Sequence, residues 1–429
     1  MTSRKRGGTM RICLAGLALA AACGGEGGSS ARARDSAGIR IVENAPPAET
    51  GPTWTVVDSP LVDIGGESGE GPTEFDAIAT VLRLRDGRIA VANRGSSEIR
   101  LFDAQGAHIR SVGRAGSGPG EFRSLVGMWV GPGDSVLAVD ILLRRLSVFD
   151  PAGTFVRSFG LGGEAGFVVP TEGVMQFSIP QGWLEDGSIL GLSQGFRLND
   201  PRSGSYRDSL TAIRYGPDGT ARDTLGHFPG QEMEQTTITF GGQSMSLPSA
   251  VPLGRSTVLA VTGNRIYVAR NDAWEVEVRG VGGGLERLIR LDVQPVPVTA
   301  EDQAKHREEL LEQVEVQPET RAVPPQIRDQ MLDRVRSARY PATFPFIAGI
   351  LTDDAGNLWV QEVVRPGIET PRYVVLDPEG EVIGLARLPA RFRATALGNG
   401  QVAGIWRDPD DVEHVRVYRL AGPKAGARD

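Results

Sequence analysis

Four histidines, two cysteines and a scatter of carboxylates are what this 429-residue chain offers for catalysis or metal binding. His108, His227, His306 and His414 lie far apart, and no pair has metal-ligand spacing such as H-x-H or H-E-x-x-H. They read as separate surface side chains: His108 and His414 in strands, His227 in a loop, His306 on a helix. No G-x-S-x-G elbow occurs, and the Ser-rich Gln243-Ser244-Met245-Ser246 has no partner base in view. Gly280-Val281-Gly282-Gly283-Gly284 follows one strand and leads into another, so no helix N-terminus stands behind it to receive a phosphate. Asn93 and Asp140 are the remaining metal candidates. They end equivalent strands 47 residues apart, so both could face one mouth of a central channel and hold a cation such as Ca²⁺ with oxygens from other strands. The alternative is that each caps the turn that follows it. Glu67, Glu70 and Glu74 form an acidic loop. Only Glu74 has a counterpart, Glu121, which points to carboxylates accepting backbone N–H bonds at a junction between repeats. Arg144-Arg145 could grip carboxylates or sulfated sugars. Only three of the 46 basic residues are Lys (Lys5, Lys305, Lys424), so a general compositional bias is the simpler source of the arginines. No catalytic set can be assigned, and no cofactor is expected beyond Ca²⁺ at the channel mouth.

Composition bounds what can position such groups. Hydrophobic residues are 40% and charged residues 23%, enough to build a core and too apolar for a disordered chain. A net charge of -7 argues against generic nucleic-acid binding. With 56 Gly and 28 Pro the chain must turn often, and two Cys cannot make a disulfide framework.

The first segment reads as an address. Arg4, Lys5, Arg6 and Arg11 precede an apolar run from Ile12 to Ala22, half the length of a membrane span. Residues 1–22 are therefore expected to be a secretory signal peptide, starting at Met1 or Met10. The sequence Leu19-Ala20-Ala21-Ala22-Cys23-Gly24 resembles the bacterial lipoprotein processing box, with Ala20 at the usual Leu position. The resemblance implies lipidation of Cys23. Removal of Cys13 with the leader would leave Cys23 as the lone Cys. An ordinary signal peptide cut near Ala22 is the alternative. Residues 23–50 read as a lipid-anchored flexible tether. No Asp follows the Cys, which by resemblance to lipoprotein sorting implies the outer membrane.

Behind these residues stands a repeat of 47. Gly71-Pro72-Thr73-Glu74-Phe75 matches Gly118-Pro119-Gly120-Glu121-Phe122, and the same offset carries Phe102-Asp103 onto Phe149-Asp150, Gly106 onto Gly153, and Asn93 onto Asp140. Each unit alternates apolar runs with turns such as Asp86-Gly87 and Asp103-Ala104-Gln105-Gly106, which is hairpin chemistry. Four antiparallel strands in about 45 residues describe a β-propeller blade. Weaker units follow to Leu420. The last has three strands, and Trp54 to Ile64 is expected to supply its fourth, closing the ring without a free edge. The predicted fold is all-β: a six-bladed β-propeller over 51–422, with a two-helix insertion at 298–339 between blades four and five. Thr299 would cap the first inserted helix and Pro324-Pro325 would open the second. The insert could be a lid or docking arm over one face, or a hairpin packed on the side of a blade.

The pattern Gly-x-Gly-Pro-x-Glu-Phe, then Asp-Gly, then Phe-Asp-x-x-Gly, resembles NHL-type six-bladed propellers, in particular bacterial envelope proteins called six-bladed β-propeller lipoproteins. The strong match covers Gly65 to Gly160; the other four units depart from the motif. The resemblance implies a fold and roles that are mostly binding. The expected function is an envelope-anchored, monomeric binding or scaffold module for a protein, peptide or glycan, more a binder than an enzyme, with membrane contact through its lipid. The alternatives are a metal-dependent hydrolase or lyase using the channel, and a purely structural part of a larger complex.

Overall fold

The structure, a computed structural model, describes residues 31–57, 59–66, 71–162, 168–171, 174–197, 199–240, 242–316 and 323–422. The expected signal peptide, the lipidation site Cys23, and Glu67 and Glu70 lie outside the described residues.

In chain order, β1 (Arg32–Ser36), β2 (Ile39–Asn44), β3 (Thr53–Val56) and β4 (Val62–Ile64) precede the first complete blade. Blade one is β5 (Ile78–Arg83), β6 (Ile89–Asn93), β7 (Glu98–Phe102) and β8 (His108–Val112), paired in sequence order. Blade two is β9 (Leu125–Val130), β10 (Val136–Asp140), β11 (Arg145–Phe149) and β12 (Phe155–Phe159). Blade three is the stretched one. Between a short β13 (Val168–Thr171) and β18 (Gln243–Ala250) it holds β14 (Val174–Trp183), β15 (Ile189–Arg197), β16 (Tyr206–Tyr215) and the 20-residue β17 (Ala221–Phe240). Blade four is β19 (Val258–Thr262), β20 (Arg265–Ala269), β21 (Glu275–Gly280) and β22 (Leu285–Leu291). Helices α1 (Ala300–Val316) and α2 (Pro325–Ser337) follow, as expected of the insertion. Blade five is β23 (Ile347–Thr352), β24 (Leu358–Glu362), β25 (Arg372–Leu376) and β26 (Val382–Arg387). Blade six has β27 (Phe392–Gly398), β28 (Gln401–Arg407) and β29 (Glu413–Ala421), and β4 completes it by pairing antiparallel with β29.

The core is distributed as a ring demands. Six buried apolar clusters each join one blade to the next, the one between blades six and one uniting Ile64, Val415 and Val417 with Ile78 and Val91. Because every blade is covered on both faces, its second strand carries a continuous apolar run. β6 reads Ile-Ala-Val-Ala-Asn and β10 Val-Leu-Ala-Val-Asp, with every residue buried. That is a buried-strand pattern and not the alternation of a half-exposed sheet. The first strands of neighbouring blades touch in the order β5, β9, β14, β19, β23, β27 and back to β5, around the axis.

The glycine that ends the third-to-fourth-strand turn explains the Asp-x-x-Gly signature. Gly106, Gly153, Gly219, Gly283 and Gly380 all have φ between 78° and 90°. A Cβ there would lie 2.1–2.8 Å from the preceding blade, against Val62, Leu101, Gly160, Leu225 and Ile289 respectively. Each blade thus docks its outer turn on its neighbour through a residue without a side chain. Blade six has no such turn, because its third and fourth strands come from opposite ends of the chain. β3 occupies that seam. It pairs parallel with β26 of blade five and antiparallel with the end of β29. The expected single closing strand over Trp54 to Ile64 is therefore two strands with separate jobs.

The tether expected over 23–50 is also shorter than that. Ala37 and Gly38, both with positive φ (50° and 81°), form a two-residue turn that pairs β1 with β2. β2 adds parallel to β22 at the outer edge of blade four, burying Ile41 and Val42. Asn44 then donates to the carbonyls of Gly380 (3.0 Å) and Arg290 (3.3 Å) and accepts from Val382 N–H (3.0 Å), tying blade four to blade five. The first described residues thus form a belt along blades four, five and six. It covers sheet edges that would otherwise invite pairing with other chains.

Candidate functional site

Strand direction sorts the connections onto two faces. One carries the short turns that join first to second and third to fourth strands, such as Asp86-Gly87 and Asp103 to Gly106. The other carries the interblade loops, the second-to-third-strand loops and every elaboration: α1, α2 and the end of blade three, where β17 and β18 project beyond the start of β16. Loops on a rigid scaffold are where binding residues concentrate.

On that face Asn93 and Asp140 occupy equivalent buried positions, but their oxygens are committed to the backbone. Asn93 Oδ1 accepts from Asp76 N–H (2.8 Å). Asp140 accepts from the N–H groups of Arg123 (2.6 Å), Ser124 (3.0 Å) and Leu143 (2.7 Å). This is the capping role. Among the described residues no group of three or more His, Cys, Asp or Glu is placed to hold a metal ion. Asn271 does the same work between blades four and five, accepting from Phe346 (3.1 Å) and Ile347 (2.8 Å), and Glu413 accepts from Ile78 N–H (2.6 Å) between blades six and one. Arginines complete these junctions. Arg100 donates to the carbonyls of Pro72 and Glu74, and Arg145 to those of Ser117, Gly118 and Glu121, although the two are two residues out of repeat register. Arg207 likewise donates to Gly230, Pro229 and Arg270 carbonyls. Glu121 accepts Gly118 N–H (2.7 Å) and pairs with Arg114, as its place in the motif suggests.

The six axial strands carry no carboxylate, imidazole or thiol; their charged residues are Arg83 and Arg393. The histidines stay apart. His108 is exposed on β8 beside Ser111. His227 is in β17, a strand and not a loop, beside Thr211. His306 faces Tyr340, where burial lowers its pKa. His414 bonds Asp63 (2.9 Å).

A cleft of about 660 Å³ lies where the insert leaves blade four and re-enters blade five. Trp274 and Leu291 of blade four, Val296 and Phe346 flanking the insert, and Ile368 of blade five make its apolar walls. Val296 and Ile368 are 44% and 52% exposed, uncommon for large apolar side chains in this ring. At one end Arg372 pairs with Glu362 (3.2 Å) and Glu49 (2.9 Å), and Arg387 also pairs with Glu49. Burial raises the Glu362 pKa; Arg372 pulls it back down and Glu49 pushes it up again. The Trp274 indole N–H faces Glu362 and favours its charged form, yet the two fall short of hydrogen-bond geometry, so Nε1 is buried without a full partner. Arg372 Nε is in the same condition.

The insert is fastened beside this cleft. Thr299 and Asp302 cap α1 reciprocally, with Asp302 accepting from Thr299 N–H (2.9 Å) and Thr299 Oγ accepting from Asp302 N–H (3.2 Å). Asp302 also pairs with Arg365 (3.0 Å), and Glu309 accepts Gly367 N–H (2.9 Å). α2 reaches across to blade three, where Gln330 donates to and accepts from the Thr239 backbone (2.9 and 2.7 Å). A second, polar hollow of about 600 Å³ lies between α2 and the projecting end of β17. Glu362 ends its second strand as Asn93 and Asp140 end theirs, and Arg372 opens its third strand as Arg145 does, but blade five departs from the 47-residue motif, so the pattern did not single them out.

A family model described as a six-bladed β-propeller (DUF5128) matches residues 68–172, which span blades one and two and the entry to blade three. No curated protein matches the chain. Among solved structures, a Bacteroides fragilis protein described as exported is 11% identical, with 90% of this chain and 100% of that one covered and a TM-score of 0.45. A DUF4221 family member from Bacteroides vulgatus is 10% identical, covering 86% and 99%, with a TM-score of 0.45. Virginiamycin B lyase from Staphylococcus aureus is 8% identical, covering 80% and 94%, with a TM-score of 0.35.

Proposed function

We propose that this six-bladed β-propeller is an exported, envelope-held binding module whose ligand, a protein, peptide or glycan, seats on the elaborated face in the cleft between blades four and five. The observation that carries the reading is the cleft itself. Exposed apolar walls end in a cluster of buried Trp274 with part-buried Glu362 and Arg372, on the face that bears the insert. A volume of this order, mostly apolar with a few convergent polar groups, is the ordinary form of a ligand site. Hydrolase or lyase chemistry along the axis draws no comparable support, since the axial strands lack acid–base side chains and Asn93 and Asp140 serve the backbone. Export rests on the basic start and the short apolar run at Ile12 to Ala22, and anchoring on Cys23 at the end of that run.

The test is retention from an envelope extract on immobilised protein. Ile368→Arg blocks the cleft, and Gln105→Arg alters an exposed turn on the opposite face. A ligand held by the wild type and by Gln105→Arg but lost by Ile368→Arg is expected. Repeated extracts that yield no ligand, or equal retention by all three proteins, would overturn the proposal.

A further inference from the structure

We propose that the cleft between blades four and five takes an extended apolar peptide, its main chain held by the Trp274 indole N–H and the Glu362 carboxyl, its side chains received by Val296, Phe346 and Ile368. This rests on the binding reading above and names the class of ligand.

The polar end of the cleft is built and incomplete. Trp274 is 3% exposed, and its N–H, though turned toward Glu362, lacks a full hydrogen bond; Arg372 Nε lies 3.2 Å from Glu362 Oε2 as an ion pair. Buried donors in native structures are nearly always satisfied, so the Trp274 N–H asks for an acceptor from outside. Blades one to three show where such an acceptor normally comes from. There Arg100 and Arg145 each donate to carbonyl groups of the loop that enters their own blade, and Arg207 to those of Pro229, Gly230 and Arg270. At the start of β25, Arg372 meets Glu49 and Glu362 instead. A ligand carbonyl would restore the contact the other blades make internally. The carboxyl of Glu362, whose ionised form burial disfavours, lies beside both donors and can accept or share a proton with an amide N–H.

Charge decides against an anionic ligand. Glu49 answers Arg372 and Arg387, and Asp302 answers Arg365, so the mouth has no surplus cation for a phosphate or sulfate. The walls are apolar and partly exposed, and an apolar peptide is the ligand that offers carbonyl, amide and hydrocarbon together.

The experiment presents the intact protein with a displayed library of random dodecapeptides and, separately, with a glycan array. Apolar peptides should be enriched. A synthetic copy should lose about tenfold in affinity to Trp274→Phe, which keeps the ring and removes the donor, and about tenfold to the near-isosteric Glu362→Gln. Ile368→Arg should abolish binding, and Gln105→Arg should leave it unchanged. No enriched peptide, or peptides indifferent to Ile368→Arg and Glu362→Gln, would overturn the inference. Glycan binding lost in Ile368→Arg, with no peptide enriched, would sink the peptide assignment and leave the binding module standing. Neither class bound would remove both.

Discussion

Ring closure rests on three residues, and Ile64 is the place to challenge it. Its side chain is 3% exposed, within the cluster that joins Val415 and Val417 of blade six to Ile78 and Val91 of blade one. Gly106 of blade one abuts it. Ile64→Ala removes three hydrocarbon groups, about 2.4 kcal/mol of transfer free energy at about 0.8 kcal/mol each. The neighbours come from three separate segments that cannot collapse freely, so a cavity term brings the loss to about 3–4 kcal/mol. Equilibrium unfolding in urea, followed by tryptophan fluorescence and far-UV circular dichroism, measures it. Val156→Ala, at a side chain 56% exposed on β12, is the control and should cost under about 0.5 kcal/mol. If closure holds the whole ring, Ile64→Ala shifts one common transition seen by both probes. A loss equal to that of the control, or a second transition confined to a fraction of the signal, would refute the account of a ring sealed by its N-terminal strand.

Asp140→Ala leaves three part-buried backbone N–H groups without an acceptor and should cost about 2–4 kcal/mol in urea unfolding; a Ca²⁺-dependent rise in Tm that the wild type shows and Asp140→Ala lacks would instead make it a ligand. Gly219→Ala should destabilise by at least about 2 kcal/mol, since its Cβ would sit 2.1 Å from the Gly160 carbonyl oxygen at a φ of 83°; a loss under about 0.5 kcal/mol would mean the interblade turn is not packed as described. Burial raises the Glu362 pKa in the native state above its ordinary 4.5, so the folded protein keeps that proton longer than the unfolded chain does. Stability should then fall as pH rises from about 4.5 through the raised native value, by at most about 1.4 kcal/mol per pH unit from this group. Glu362→Gln should remove that decline, and parallel stability–pH curves for the two proteins would contradict it. Cys23→Ser should abolish incorporation of labelled palmitate and release the protein from membranes; persistent labelling would place the lipid elsewhere, and an unlabelled wild type would favour an ordinary cleaved leader.

What the sequence made legible was whatever packing repeats. Gly106 and Gly153 recur because a side chain at either would strike the preceding blade, and Asn93 and Asp140 recur because each interblade loop needs a buried acceptor. From those positions the blade, the ring and the missing fourth strand follow. Thr299 and Pro325 likewise marked the inserted helices, since capping leaves a local signature. The belt was hidden because Arg32 to Ser36 is charged and fully exposed, a fit edge strand that reads as linker. The projecting end of β17 was hidden because its strands pair mainly with each other and show little apolar alternation. The cleft was least visible of all. Glu49, Trp274, Glu362 and Arg372 come from three distant stretches and meet only after the ring has formed, so no spacing links them.

A blade assembled from both termini also fixes an order of events. While the ribosome is still making Glu413 to Ala421, Val62 to Ile64 has nowhere to pair, and five finished sheets stand as an open arc. A product stalled or clipped before the final strands would keep a bare edge at each end of that arc, a ready target for chaperones and proteases. Conversely, a short linker from Ala421 to Val62, with new ends cut at an exposed interblade loop, would give a circular permutant whose last blade forms from contiguous chain.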